Sequence, residues 1–172
     1  MAYSLRVSGI VPESIVDGPG IRFVVFVQGC PHRCPGCHNP QTHDFEGGRD
    51  MDIGEIAAQI EENPLLFGVT FSGGEPFCQP EALYELGLLV KEMGKHLIVY
   101  TGYTIEQLLE IEKSRPYVGK LLRLADILID GPYIESLRDL DLPFRGSSNQ
   151  RIIDIRKYFS KQVCGEPAEA VL

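Results

Sequence analysis

The chain lacks an excess of basic residues. Its 16 Lys and Arg stand against 24 Asp and Glu in 172 residues, a formal net charge of -8. Phosphate backbones are held by basic surfaces, and no Lys/Arg stripe runs along the sequence, so nucleic acid is not expected as a partner. Also lacking is a targeting or spanning segment. The opening MAYSLRVSGIVPES has no basic start followed by a sustained apolar run, and FVVFV beyond it is far too short to cross a bilayer. A cytoplasmic protein without membrane contact is the expectation. No low-complexity segment or internal domain boundary interrupts the chain, and its length suits one hydrophobic core. Residues 1–172 therefore read as a single domain, with GEPAEAVL at 165–172 as a loose tail.

Cysteine is scarce too, yet three of the five, Cys30, Cys34 and Cys37, crowd into GCPHRCPGCHNP. A reducing cytosol disfavours a disulfide framework, which turns the spacing toward metal or redox chemistry. The pattern is C-x3-C-x2-C with no fourth cysteine beside it. A structural zinc site takes four ligands, and a [4Fe-4S] cluster in an electron carrier takes four thiolates. Three thiolates can each hold one iron of a cubane, leaving one iron open to a ligand that is not protein. Thiolate softness suits iron-sulfur clusters or zinc. A zinc site completed by His32, His38 or His43 stays open on these residues alone. Cys78 and Cys164 read as ordinary thiols.

Strand and helix signals alternate along the rest. Strands are expected at 21–28, 68–72, 96–101 and 125–130, with a further one around 151–155. Asp52 with Glu55 forms a capping-box pattern ahead of a helix carrying Ile53, Ile56, Ala57 and Ile60. Pro80 opens a second helix that Gly94 stops, and Thr104 with Gln107 caps a third. The fold class is α/β: such alternation implies βαβ units with parallel strands and right-handed crossovers. The loops after four strands then share one edge of the sheet, where ligands gather in such folds. Those loops carry the cysteines, GGEP (73–76), TGY (101–103) and DGPY (130–133).

CPHRCPGC followed by HN resembles the cluster loop of radical S-adenosylmethionine enzymes. GGEP after the second strand resembles the segment that holds the amino group of the cofactor's methionine moiety. With DGPGIR before them and FRGSSNQRIID after them, the whole pattern resembles the activating enzymes of glycyl-radical enzymes. The resemblance runs from about residue 14 to 155. It implies a partial (βα) barrel of the radical SAM type with fewer than eight repeats. It implies a [4Fe-4S] cluster on Cys30, Cys34 and Cys37, with S-adenosylmethionine chelating the unique iron. One-electron reduction, in the family often by flavodoxin, would cleave the cofactor to methionine and a 5'-deoxyadenosyl radical, which generates a glycyl radical on a partner enzyme. The large subunit of anaerobic ribonucleoside-triphosphate reductase is the expected partner. The alternatives are another glycyl-radical enzyme such as pyruvate formate-lyase and, from a different class, a non-enzymatic iron-sulfur electron carrier.

By the same resemblance the cofactor-binding candidates are His38, Gly73, Gly74, Glu75, Pro76, Asp130, Arg145 and Arg151, with Glu75 offering negative charge to the sulfonium. Two positions depart from the wider pattern. Gly36 stands where many members carry an aromatic residue that touches adenine, and Pro132 stands where pyruvate formate-lyase activases carry a lysine. Those departures shift the expected carboxylate contact toward the arginines and leave adenine to backbone or a neighbour such as His38.

Overall fold

A computed structural model describes residues 3–164, so the tail expected at 165–172 and the side chain of Cys164 lie outside the described residues. The described residues form a mixed α/β fold, with five helices and one seven-stranded sheet. The sheet consists of β1 (Ser4–Ser14), β2 (Arg22–Val27), β3 (Arg49–Asp52), β4 (Gly68–Gly73), β5 (His96–Tyr100), β6 (Ile127–Asp130) and β7 (Arg151–Asp154). Their order is β3-β1-β2-β4-β5-β6-β7.

The parallel arrangement expected from the alternating pattern holds for the centre. β2 pairs with β4, β4 with β5 and β5 with β6, all parallel. The flanks differ. β1 runs antiparallel to both β2 and β3, and β7 runs antiparallel to β6. Neither β1 nor β3 was expected from the sequence. β1 carries register shifts between Val7 and Gly9 and between Val11 and Ser14, which break the two-residue alternation that marks a strand. β3, RDMD, has almost no apolar signal and forms an edge of the sheet.

Period-two alternation along the central strands separates two faces. Phe23, Val25 and Val27 of β2, Val69 and Phe71 of β4, Leu97 and Val99 of β5 and Leu128 of β6 belong to one buried core. That core includes Ile56 and Ile60 of α1 (Ile53–Glu61), Leu83 and Leu86 of α2 (Pro80–Glu92), Leu108 of α3 (Ile105–Ile111) and Leu121 and Leu122 of α4 (Pro116–Leu124). α5 (Ile155–Cys164) follows β7. The capping box on α3 forms as expected, with Thr104 accepting from the Gln107 amide. At α1 Asp52 caps the helix by accepting from the Gly54 amide, and no Glu55 box closes it.

The alternate residues point away from the helices. At the amino end of that face sits Arg22, fully buried. Its guanidinium donates to Thr70 Oγ1 at 2.7 Å, Pro19 O at 3.1 Å, Val69 O at 2.7 Å and His96 O at 3.1 Å. Burial pulls its pKa down to about 10. Thr70 Oγ1 in turn donates to Asp17 O at 2.8 Å, which ties the DGPG turn to the same face.

β6, β7 and α3 are fastened by one charged cluster. Arg151 donates to buried Asp130 at 2.9 and 2.5 Å and to Glu106 at 3.1 and 2.8 Å, while the Ile105 amide donates to Asp130 Oδ2 at 2.7 Å. The Arg151 hydrogen bonds hold the Glu106 carboxyl down at about 2, against an ordinary value of 4.5. A depressed carboxylate contributes stability above its unfolded pKa and loses it as pH falls through the folded one. Because the pair is largely exposed, Glu106→Gln is expected to cost less than about 1 kcal/mol near neutrality. In urea unfolding the gap between variant and wild type should shrink between pH 4.5 and about 2.

Candidate functional site: a cavity under the cysteine loop

The cysteine loop is closed at its base. Gly29 N–H donates to Thr42 O at 2.8 Å and Cys30 N–H to His43 O at 3.3 Å. The buried Gln28 side chain bridges the closure, donating to Gln41 O at 2.9 Å and Asp44 O at 2.6 Å. Inside it the backbone turns through left-handed geometry at Arg33 (φ 48°) and Gly36 (φ 73°). Cys30 is buried, whereas Cys34 and Cys37 are partly exposed, and all three are free thiols.

Beneath the loop, on the face away from the helices, lies a cavity of about 370 Å³. That is within the size range of small-molecule sites. Cys30, Cys34 and Cys37 line it together with Gly73 and Gly74 from the end of β4. Tyr100, Thr101 and Gly102 contribute from the end of β5, and Gly131 and Tyr133 from the end of β6. The four loops expected to converge do so. Asp17 of the DGPG turn and Arg145 of the 142–150 segment complete the wall.

The expected site residues divide into two groups. His38, Gly73, Gly74 and Arg145 line the cavity, and the His38 ring lies against Tyr133 with centroids 5.0 Å apart. Glu75, Pro76, Asp130 and Arg151 do not line it. Asp130 and Arg151 engage one another, and Pro76 is buried at the start of a short 3-10 turn. Glu75 is fully buried and turned into the protein. Its Oε1 accepts from Phe77 N–H at 3.0 Å and Thr101 Oγ1 at 2.9 Å, and its Oε2 from Gly102 N–H at 2.9 Å and His32 Nε2 at 2.7 Å.

Tyr100 and Gln150 also line the cavity, with no motif in the sequence to mark them as site residues. Tyr100 donates to Phe144 O at 2.7 Å, and burial pushes its phenol pKa well up. Gln150 knots the 142–150 segment, accepting from the amides of Gly146 and Ser147 and donating to Gly131 O. FRGSSNQRIID holds that knot, although its composition alone shows only a turn.

The donor set suits an iron-sulfur cluster and a ligand bearing oxygen acceptors. Burial pushes the Cys30 thiol up, and the His32 and Arg33 amides act on its sulfur in the opposite sense. Asn39 N–H donates to Cys37 Sγ at 3.4 Å. Such N–H···S contacts stabilise thiolate ligands and tune clusters. His43 Nε2 and Arg145 Nε are buried without a protein partner, in residues that line the cavity. Arg145 also donates to Gln150 O at 3.1 Å. Among the described residues no three His, Cys, Asp or Glu groups converge on a single-ion point. A cubane asks for something else, thiols spread around a space. Cys78 lies outside this cavity, and burial raises its thiol to about 11.

Gly74 shows how tightly GGEP packs. Its N–H donates to Val27 O and the next amide to Gly29 O, both at 2.8 Å. A Cβ here would stand 2.4 Å from Gly29 O and 3.0 Å from Val27 O, both fixed backbone atoms. The glycine therefore serves the approach of GGEP to the root of the cysteine loop. Gly74→Ala is expected to destabilise the cluster-free protein by about 1–3 kcal/mol, as overpacking does, read from urea unfolding.

Residues 16–153 match the family described as a 4Fe-4S single cluster domain. The anaerobic ribonucleoside-triphosphate reductase-activating protein of Salmonella typhi is 32% identical over 161 residues, covering 88% of this chain and 100% of its own. That of Escherichia coli (strain K12) is 32% identical over 154 residues, 84% of this chain and 96% of its own. The pyruvate formate-lyase-activating enzyme of Clostridium pasteurianum is 41% identical over 132 residues, 73% of this chain and 55% of its own.

Proposed function

The chain belongs to the 4Fe-4S single-cluster family of glycyl-radical-enzyme activating proteins, and from that premise we propose that it activates anaerobic ribonucleoside-triphosphate reductase. It is a radical S-adenosylmethionine enzyme with a [4Fe-4S] cluster as its cofactor. The observation that carries this reading is convergence: three thiols, a double glycine and an arginine with a free donor share one cavity wall. Coverage of the full length of the Salmonella relative favours the reductase as target. The 41% identity to a pyruvate formate-lyase-activating enzyme supports a second reading, activation of that lyase.

When bound, the cluster would supply the electron for reductive cleavage of S-adenosylmethionine, the chemistry from which a glycyl radical on the reductase would be generated. The protein's part is holding and shielding. Cys30, Cys34 and Cys37 would hold three irons, with a backbone amide already on the sulfur of Cys37. Gly73 and Gly74 present main chain to the cofactor's amino group, and Arg145 offers its free Nε to the carboxylate. His38 and Tyr133 supply the aromatic surface that Gly36 cannot, facing adenine. Glu75, Pro76, Asp130 and Arg151 act behind the wall, keeping the loops in register.

The fold reading is a single radical SAM domain built as a partial barrel. It is supported by an open sheet whose helices cover one face and whose cavity occupies the other. An incomplete barrel leaves room for another protein's glycine loop. A flavodoxin-type reductant follows from the family resemblance alone. A cytoplasmic setting follows from the thiol chemistry, which a reducing compartment protects.

Anaerobic reconstitution with iron and sulfide, reduction and addition of S-adenosylmethionine should yield 5'-deoxyadenosine, and no product from a demonstrably reduced cluster would sink the reading. Cleavage should vanish in each Cys→Ala variant of the trio and persist in Cys78→Ala. Arg145→Met should weaken cofactor binding about tenfold or more, the size of a lost charge-assisted hydrogen bond. Arg151→Met should leave the affinity near wild type. A glycine-centred paramagnetic signal on reductase, compared with lyase, selects the target.

A further inference from the structure

Glu75 and His32 together do something that neither cofactor binding nor cluster ligation assigns to them. A carboxylate offers about four lone-pair sites. At Glu75 these meet four donors: Phe77 N–H, Thr101 Oγ1, Gly102 N–H and His32 Nε2. With its side chain fully buried, Glu75 has no acceptor left to offer a cofactor's amino group. Three of those donors belong to other loops: His32 lies between the first two cysteines, and Thr101 and Gly102 follow β5.

The His32 ring has little freedom. It packs edge-on against Tyr103 with centroids 4.5 Å apart and an interplanar angle of 74°. Gly102 also lies close to it, and a Cβ there would stand 2.4 Å from the ring. Fixing this side chain also restrains the backbone between Cys30 and Cys34, the two residues that flank it two positions to either side.

We infer that His32 and Glu75 form a brace that sets the cysteine loop in its ligating geometry before any cofactor arrives. His32 is a positioning residue, anchoring the Cys30–Cys34 half of the loop to the sheet through a buried carboxylate. The inference deepens the proposed function and rests on it only for what the loop holds.

The test compares wild type with His32→Ala and His32→Gln, the latter keeping an N–H within reach of the carboxylate. In cluster-free protein, amide hydrogen exchange over residues 30–38 should rise about tenfold or more in His32→Ala, the scale of one hydrogen bond to a charged group. Protection of β4 and β5 should stay unchanged. His32→Gln should restore most of the loop's protection, and Gly102→Ala, which pushes the ring aside, should mimic His32→Ala. After reconstitution, the paramagnetic signal of the reduced cluster should shift or broaden in His32→Ala and lie closer to wild type in His32→Gln. Unchanged exchange in His32→Ala, a loss spread equally over β4 and β5, or one identical cluster signal in all three proteins would overturn the brace. Failure of the proposed function shows separately, as wild type with a reduced cluster and no 5'-deoxyadenosine, and leaves the exchange comparison intact.

Discussion

The site depends on one buried carboxylate. Burying a charge is costly unless it is met by donors, and Glu75 meets them from three directions. The loops after β2, β4 and β5 are held together by that requirement. If any of the three moved away, a desolvated oxygen would lose its partner, so the arrangement behaves as a unit. A second lock lies at the base of the cysteine loop, where Gln28 and the Gly29 and Cys30 amides join its two ends. Between the two locks the loop has few ways to drift, although half of it faces solvent.

The sheet makes this economy possible. Four central strands run parallel, which brings three successive strand-end loops side by side without long excursions. Covering only one face with helices leaves the other to form a cavity wall, and that face needs polar residues of its own. Arg22 is the extreme case, a buried cation whose partners are carbonyls, a hydroxyl and the His96 ring nitrogen. The antiparallel flanks have a different purpose. β1 lies on the outer side of β2 and, through Arg6 O, accepts from the Gln28 amide, while β7 brings Arg151 to Asp130.

Much of this was legible in the sequence, and what escaped did so for physical reasons. β2, β4, β5 and β6 announce themselves because buried parallel strands are continuous apolar runs. The capping box at Thr104 and the stop at Gly94 are local chemistry, fixed within four residues of sequence. β3 was invisible because its pairing with β1, rather than its composition, makes it a strand. α4 escapes although Pro116 stands at its first position and Val118, Leu121 and Leu122 bury one face, because Gly119 and a span of only nine residues weaken the helical signal. The antiparallel direction of β7 follows from the return of the 131–150 segment, which alternation alone does not encode. At the site the thiol trio and the double glycine were legible as types. Which way a carboxylate points was not: the sequence places Glu75 beside the cavity, and only the partners on the other side show that it faces inward.

That inward turn changes what the acidic residue of GGEP accomplishes. An exposed carboxylate would attract a cationic sulfonium through water, where a unit charge pair at 4 Å is worth only about 1 kcal/mol. Buried and saturated, the same group acts on geometry instead. Three sulfurs must converge on one space to share a cluster, and an unrestrained cysteine loop would present them separately. A loop already closed by Gln28 at its root and tied through His32 at its crown meets the iron with part of the ordering cost settled, the general advantage of preorganised sites. The negative charge then contributes most by being hidden, and under the proposed function recognition of the incoming cofactor falls to the groups that do line the cavity, main chain at Gly73 and Gly74 and the unpartnered nitrogen of Arg145.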